Sequence, residues 1–182
     1  MIGLARLALV LAPLAWGGPA SASTRNTPID TTALEFHGFR AGARLDELDG
    51  VVQSSSGGRL RCKHAKADRH VMECRADFTD PELGGTLRLW VSAMDSLAGV
   101  ITLSRGVTAA QLERWRASIE QRYGKVDTKV QGTQRMMQWV RHGRMLRLTW
   151  RIENGQQMAS VSLVDGPVLD AWGQGRAKPR GS

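Results

Sequence analysis

The sequence predicts an α+β protein in which helices pack on an antiparallel sheet, with an element order that suggests two tandem helix-plus-sheet halves. One long amphipathic helix is predicted over residues 108–124, near the middle of the chain. Alternating apolar residues, interrupted by turn-forming residues, lie before and after it and indicate strands. The halves share this pattern but not their residues, so they are either a duplication or two uses of one common arrangement.

A secretory signal peptide is predicted over residues 1–22. Arg6 precedes an apolar run over residues 7–16, and small residues ending at Ala22 follow. The run is too short to span a bilayer, so no transmembrane segment is expected after the signal is removed. We expect a secreted or periplasmic protein with a flexible lead-in over residues 23–33.

The first half is predicted over residues 34–106. A short aromatic segment at 34–39 leads to a brief helix over 42–50, in which Leu45 and Leu48 face inward. A Ser/Gly-rich loop at 54–58 follows. Four strands joined as a meander are then predicted over residues 60–64, 70–78, 86–94 and 97–104.

The central helix is the most strongly specified element. Thr108 and Gln111 have the spacing of a capping box, and Gly124 can end the helix in a left-handed conformation. Its apolar stripe consists of Leu112, Trp115, Ile119 and Tyr123. Trp115 and Ile119 are expected to cover the sheet of the second half.

The second half is predicted over residues 107–172. After the central helix, strands are predicted over residues 125–130, 135–141, 145–152 and 158–164. His142-Gly143 and Asn154-Gly155 mark the turns between them. Residues 173–182 carry three basic residues among glycines and are expected to form a disordered tail.

The two cysteines are predicted to form a disulfide. If the chain reverses near Asp68, Cys62 falls opposite Cys74 and His64 falls opposite Met72. Cysteines of exported proteins are expected to pair. The alternative is a metal-binding protein that uses His64 and His70, but their spacing matches no zinc motif, and no cofactor is expected.

The sequence favours a binding protein over an enzyme. It contains no nucleophile elbow, no His-Glu-x-x-His motif and no phosphate-binding glycine loop. A small hydrolase with a site across the sheet is the alternative. The formal net charge of +8 favours an acidic protein or an anionic envelope component as partner, whereas nucleic acid is not expected because no recognition motif accompanies the charge.

A basic sheet face is the candidate partner surface. On the strand at 145–152, the face opposite the apolar residues carries Met145, Arg147 and Arg151. The neighbouring strand is expected to add Arg135 and Arg141 to this face. Arginine and methionine are enriched at interface centres. We therefore expect these five residues to dock an acidic macromolecule.

The pattern over residues 36–164 resembles the small exported modules typified by β-lactamase inhibitory protein and by small outer-membrane-assembly lipoprotein domains. The segment GARLDEL, from Gly42 to Leu48, is similar to their Gly-x-x-x-x-x-Val/Leu helix opening. The segment RYGKV, from Arg122 to Val126, is similar to their helix-ending Leu/Tyr-Gly-x-Pro, with Val126 in place of the proline. The resemblance implies a non-catalytic binding module and assigns no functional residue.

Overall fold

A computed structural model of the chain describes residues 33–176. They form three helices, an eight-stranded antiparallel sheet and a separate two-stranded sheet, so the protein is of mixed α/β structure and mostly sheet. The predicted signal peptide and almost all of the predicted lead-in lie outside the described residues; Ala33 is buried.

The first part of the chain has one helix and six strands. The small sheet pairs β1 (Glu35–Phe36) with β2 (Phe39–Arg40). Helix α1 (Leu45–Ser56) follows. The chain then forms the strands β3 (Arg61–His64), β4 (Val71–Asp80), β5 (Gly85–Met94) and β6 (Leu97–Gly106).

The second part repeats the order of one helix followed by four strands. Helix α2 (Ala109–Tyr123) begins with the predicted capping box, since Gln111 N donates to Thr108 Oγ1 and Thr108 N donates to Gln111 Oε1. The strands are β7 (Lys129–Gln131), β8 (Gln134–Arg141), β9 (Arg144–Glu153) and β10 (Gln156–Asp165), and helix α3 (Gly166–Arg176) follows them.

The strand order of the large sheet is β3-β4-β5-β6-β10-β9-β8-β7, antiparallel throughout. Each group of four strands is a meander, as predicted for the first group. The two meanders meet through their last strands, where Leu103 of β6 lies opposite Val161 of β10. The centre of the sheet is therefore built from both meanders, and β3 and β7 form its edges.

One face of the large sheet belongs to the hydrophobic core. Directly paired residues of an antiparallel sheet point to the same side, so Leu89, Leu103, Val161 and Leu148 form one buried row across four strands. Residues of α1 and α2 are members of the same core cluster. We call this face the core face.

Helix α1 is longer than the helix predicted over residues 42–50. It continues through Gly50 because Val52 is fully buried, and the hydroxyls of Ser54 and Ser55 donate to Val51 O. It ends at Gly57, whose φ of 68° favours glycine. Burial of the second turn therefore outweighs the low helix propensity of the serines.

Helix α2 contacts both meanders, whereas the sequence predicted that Trp115 would cover the second one. Trp115 Nε1 donates to Leu83 O in the β4–β5 turn at 3.4 Å, and its ring meets Phe36 edge-on. The C-terminal end of α2 contacts the second meander, because Trp139 Nε1 donates to Gly124 O at 2.7 Å.

Helix α3 was not predicted. Asp165 Oδ1 accepts a hydrogen bond from Val168 N, and Pro167 lies in the first turn, which together are an N-terminal helix signal. Residues 173–176 of the predicted tail lie within this helix, and residues 177–182 lie outside the described part of the chain. None of the helices within residues 33–176 has the length and apolar character needed to cross a membrane.

Candidate binding face

The other face of the large sheet, which we call the open face, carries polar and basic side chains. Its residues follow from the strand register. One row across the sheet consists of Arg75, Trp90, Thr102, Ser162, Arg147 and Gln138, and the next consists of Asp77, Arg88, Ser104, Ser160, Thr149 and Met136. Both rows cross from one meander to the other.

Three of the five predicted partner-binding residues lie on the open face, namely Met145, Arg147 and Arg151. The other two do not. Arg135 lies opposite Trp150 and Arg141 lies opposite Arg144, which places both on the side of the core face. The β8–β9 register pairs odd-numbered residues of β8 with even-numbered residues of β9, and a strand's period of two then separates Arg135 from Arg147.

Short hydroxyl side chains occupy the middle of the open face. The Thr102 and Ser162 hydroxyls are 3.2 Å apart, and those of Thr149 and Ser160 are 2.7 Å apart. These contacts join β6 to β10 and β10 to β9. Because the side chains are small, they form a low floor between the longer residues of the neighbouring strands.

Longer side chains stand on both sides of this floor. On β5 they are Arg88, which is exposed, and Trp90, which is half-buried. On β9 they are Arg147 and Arg151. From these side-chain lengths we infer a groove above Thr102, Ser104, Ser160 and Ser162, which we call the central groove.

Two adjoining cavities mark one end of the central groove. A cavity of about 520 Å³ is lined by residues that include Arg88, Ser104 and Met158. A second cavity, of about 190 Å³, is lined by residues that include Ser104, Met158 and Arg151. Ser104 and Met158 line both, so the two cavities extend from Arg88 on one side of the groove to Arg151 on the other.

The arginines of the groove, and Arg75 on the neighbouring strand β4, differ in their partners. Arg147 is half-buried and donates two hydrogen bonds to Gln138 Oε1, at 2.8 and 3.1 Å. Arg151 forms an ion pair with Glu153. Within residues 33–176, Arg75 and Arg88 form no hydrogen bond or ion pair through their side chains. Their charges therefore remain available to a ligand.

Basic residues outnumber acidic ones on the strands of the open face. The basic residues are Arg61, Lys63, Arg75, Arg88, Lys129, Arg147 and Arg151. The acidic residues are Glu73, Asp77 and Glu153, of which Asp77 lies 4.0 Å from Arg61 and Glu153 is paired with Arg151. The excess gives this face a positive potential.

Comparison with protein-family models, curated proteins and solved structures returns no significant match. The geometry of the chain itself therefore carries the functional argument.

The cysteine hairpin forms as predicted. Cys62 and Cys74 lie opposite each other and are joined by a disulfide, with a Cα–Cα distance of 4.0 Å, and His64 lies opposite Met72. His64 Nδ1 is 2.7 Å from Arg69 O, and His70 is exposed. In the described part of the chain, neither histidine belongs to a group of three side chains that could hold a metal.

Arg88, Trp90 and the floor hydroxyls were not identified as site residues from the sequence. The signal that exists is alternation, at Thr86, Arg88 and Trp90 and again at Ser160 and Ser162. Alternation separates the two faces of a strand but does not show which strands are neighbours. The sequence does not show that β6 pairs with β10, and this pairing is what brings the floor hydroxyls together.

Proposed function

We propose that the chain is a non-catalytic secreted or periplasmic binding module whose central groove holds an acidic, extended segment of another envelope or extracellular macromolecule. One observation carries the proposal. Within the described residues, the side chains of Arg88 and Arg75 form no ion pair or hydrogen bond, and Arg88 lies beside a groove lined by hydroxyl groups. The disulfide supports the location, because such bonds persist in oxidising compartments.

The groove suits an extended chain because its polar groups are spread along it. The floor hydroxyls can donate to or accept from backbone amides of a ligand. Arg88 and Arg151 stand on opposite sides of the groove. Arg88 can meet a carboxylate directly, Arg151 can do so by exchanging its exposed ion pair with Glu153, and Trp90 offers apolar contact area beside Arg88. Arginine and tryptophan are also the residues that most often dominate binding energy.

The same geometry disfavours the hydrolase alternative. A serine or threonine nucleophile needs an adjacent base, and the described strands place no histidine on the open face. The nearest polar contact of Ser160 is another hydroxyl, that of Thr149. The carboxylate of Glu153 is paired with Arg151.

The tandem arrangement is part of the proposal. Each helix precedes a four-stranded meander, and the last strands of the two meanders pair at the centre of the sheet. Thr102 and Ser104 come from one meander, and Ser160 and Ser162 come from the other. The groove thus exists only where both halves are joined, so neither half alone is expected to bind.

The test uses charge reversal on both sides of the groove. Arg88→Glu/Arg151→Glu should lower the affinity for a fluorescent, extended Asp/Glu-rich peptide by at least about tenfold, since one charged hydrogen bond is worth about 1.5–3 kcal/mol. Fluorescence anisotropy measures the binding, and adding salt should weaken it in the wild type. Both arginines are exposed, so the thermal unfolding midpoint should hardly change.

A matched control changes the net charge equally at another place. Arg114→Glu/Arg135→Glu alters two exposed residues that are not on the open face, and it should leave the affinity within about twofold. Equal losses in the two double variants would show that binding follows net charge alone and would refute the groove. Binding to anionic lipid vesicles but not to the peptide would refute an acidic chain as the ligand.

A further inference from the structure

A cluster of one histidine and two carboxylates lies away from the open face, where the β1–β2 turn meets the end of β4 and the β4–β5 turn. His37 Nδ1 is 3.3 Å from Asp80 Oδ2 and 3.8 Å from Glu82 Oε2. The three donor atoms all lie within 4.8 Å of one another. Within residues 33–176, it is the only group of three such side chains with this geometry.

The shortest of these distances matches that of two donors that share one metal ion. Two ligands at about 2.1 Å from a tetrahedral zinc ion are about 3.4 Å apart. The His37–Asp80 distance agrees with this value. The His37–Glu82 distance is longer, but Glu82 is 83% exposed and its side chain can move.

The His37–Asp80 distance of 3.3 Å is within the range of an ion pair and also within the range of two ligands that share one metal ion.

Two of the three ligands are held in place before any ion binds. The His37 and Asp80 side chains are only 19% and 17% exposed. Asp80 Oδ1 accepts hydrogen bonds from Glu82 N at 2.8 Å and Leu83 N at 3.3 Å, which fixes the carboxylate and leaves Oδ2 for the ion. Partners of this kind orient metal ligands and raise affinity.

We propose that His37, Asp80 and Glu82 form a binding site for a divalent transition-metal ion of the zinc class. The imidazole nitrogen favours Zn²⁺ over the hard cations Mg²⁺ and Ca²⁺, and the two carboxylates supply the charge that neutralises the ion. The exposed side chain of Glu82 provides the entry path. Three protein ligands leave a coordination position for water or a further ligand.

The site has a structural consequence. It joins the β1–β2 turn to the β4–β5 turn, which are separated by more than forty residues in the chain. A bound ion would stabilise the folded chain by an amount that rises with the logarithm of the free ion concentration above the dissociation constant. The site does not include His64 or His70, and it is independent of the proposed groove.

The experiment is a calorimetric titration of the chelator-treated, disulfide-bonded mature chain with Zn²⁺ and separately with Ca²⁺. We expect one zinc ion to bind per chain, a rise in the thermal unfolding midpoint with zinc, and no binding of Ca²⁺. His37→Asn and Glu82→Gln should each lower the zinc affinity by at least about tenfold, since even outer-shell partners of a metal contribute that much. His64→Asn/His70→Asn should retain the wild-type affinity.

The variants are chosen to keep the fold intact. His37 has a φ of 47°, a conformation that asparagine tolerates well, and Glu82 is exposed. Circular dichroism and the unfolding midpoint of the metal-free variants verify this. The proposal is overturned if the wild type binds no zinc, if His37→Asn or Glu82→Gln binds it as tightly as the wild type, or if the His64/His70 variant loses binding.

Discussion

The two faces of the large sheet are built from the same strands but have opposite chemistry. On the core face, the central row of Leu89, Leu103, Val161 and Leu148 is fully buried and apolar. On the open face, the row beside it contains Arg88, Ser104, Ser160 and Thr149, whose side chains are polar and exposed or half-buried. One residue step along each strand therefore changes the environment from hydrocarbon to water.

This difference separates the residues that hold the fold from those that can bind a partner. For stability, a solvated sheet face requires only that its side chains are soluble and compatible with a strand. The hydroxyl floor and the arginines beside it are thus free to be selected for a ligand. Tryptophan, arginine and hydroxyl side chains occur on both sides of the sheet. The same kind of substitution can therefore be made on each side and its effect on stability compared.

The largest contrast is expected between two tryptophans. Trp115, on the core side, is 2% exposed and contacts Phe36 and Leu83 O, so Trp115→Ala should lower the free energy of unfolding by about 3–5 kcal/mol. Trp90, on the open face, is half-buried, and Trp90→Ala should cost less, about 1–2 kcal/mol. Urea denaturation followed by circular dichroism measures both, and equal costs would break the distinction between the faces.

A smaller contrast is expected between two arginines. Arg144 Nε donates to Asp165 Oδ2 at 2.7 Å, and the Asp165 carboxylate is only 2% exposed. Arg144→Gln leaves that carboxylate without its charged partner and should cost about 1.5–3 kcal/mol. Arg88→Gln on the open face should change the free energy of unfolding by less than about 0.5 kcal/mol.

The same denaturation measurements decide the arginine comparison. If Arg88→Gln destabilised the chain as much as Arg144→Gln, Arg88 would have a structural role and the binding proposal would lose its central residue. The measurements are then repeated at high salt. The destabilisation caused by Arg144→Gln should change little, because the Asp165 carboxylate is buried and its interaction with Arg144 is screened little.

The sequence identified those parts of the structure that depend on local pattern. Alternation located all eight strands of the large sheet to within a few residues, and the Thr108–Gln111 spacing located the start of α2. The disulfide followed from hairpin geometry, because its two cysteines are neighbours across one turn. The tight turn at Asn154-Gly155 had an equally local signal.

What the sequence missed depends on contacts between distant residues. The groove requires β6 to pair with β10, and no local signal specifies that pairing. The placement of Arg135 and Arg141 depended on a register in which one residue step reverses the face. His37 and Asp80 come together only because two separate turns meet. Distances of this kind are set by the packing of the whole core.

The smallest contrast is expected between two hydroxyl groups. Tyr123 Oη donates to Glu35 O at 2.7 Å and accepts from Glu35 N at 2.8 Å, so Tyr123→Phe should cost about 1–2 kcal/mol. Thr149 on the open face bonds to Ser160, and Thr149→Val should cost less than about 1 kcal/mol because water can replace the lost partner.

The pH dependence of stability gives Tyr123 a second signature. Burial raises the pKa of the Tyr123 phenol above its usual 10.0, although the hydrogen bond to Glu35 and the nearby Arg122 oppose the shift. The unfolded chain then ionises first, so the wild type should lose stability as the pH rises through 10, and Tyr123→Phe should lack that part of the loss. Tyr123 is the only tyrosine in the chain, so ultraviolet titration of tyrosinate reports its pKa directly. A phenol that titrates at or below 10 in the folded protein would show that water reaches it, and the contrast with the hydroxyls of the open face would then disappear.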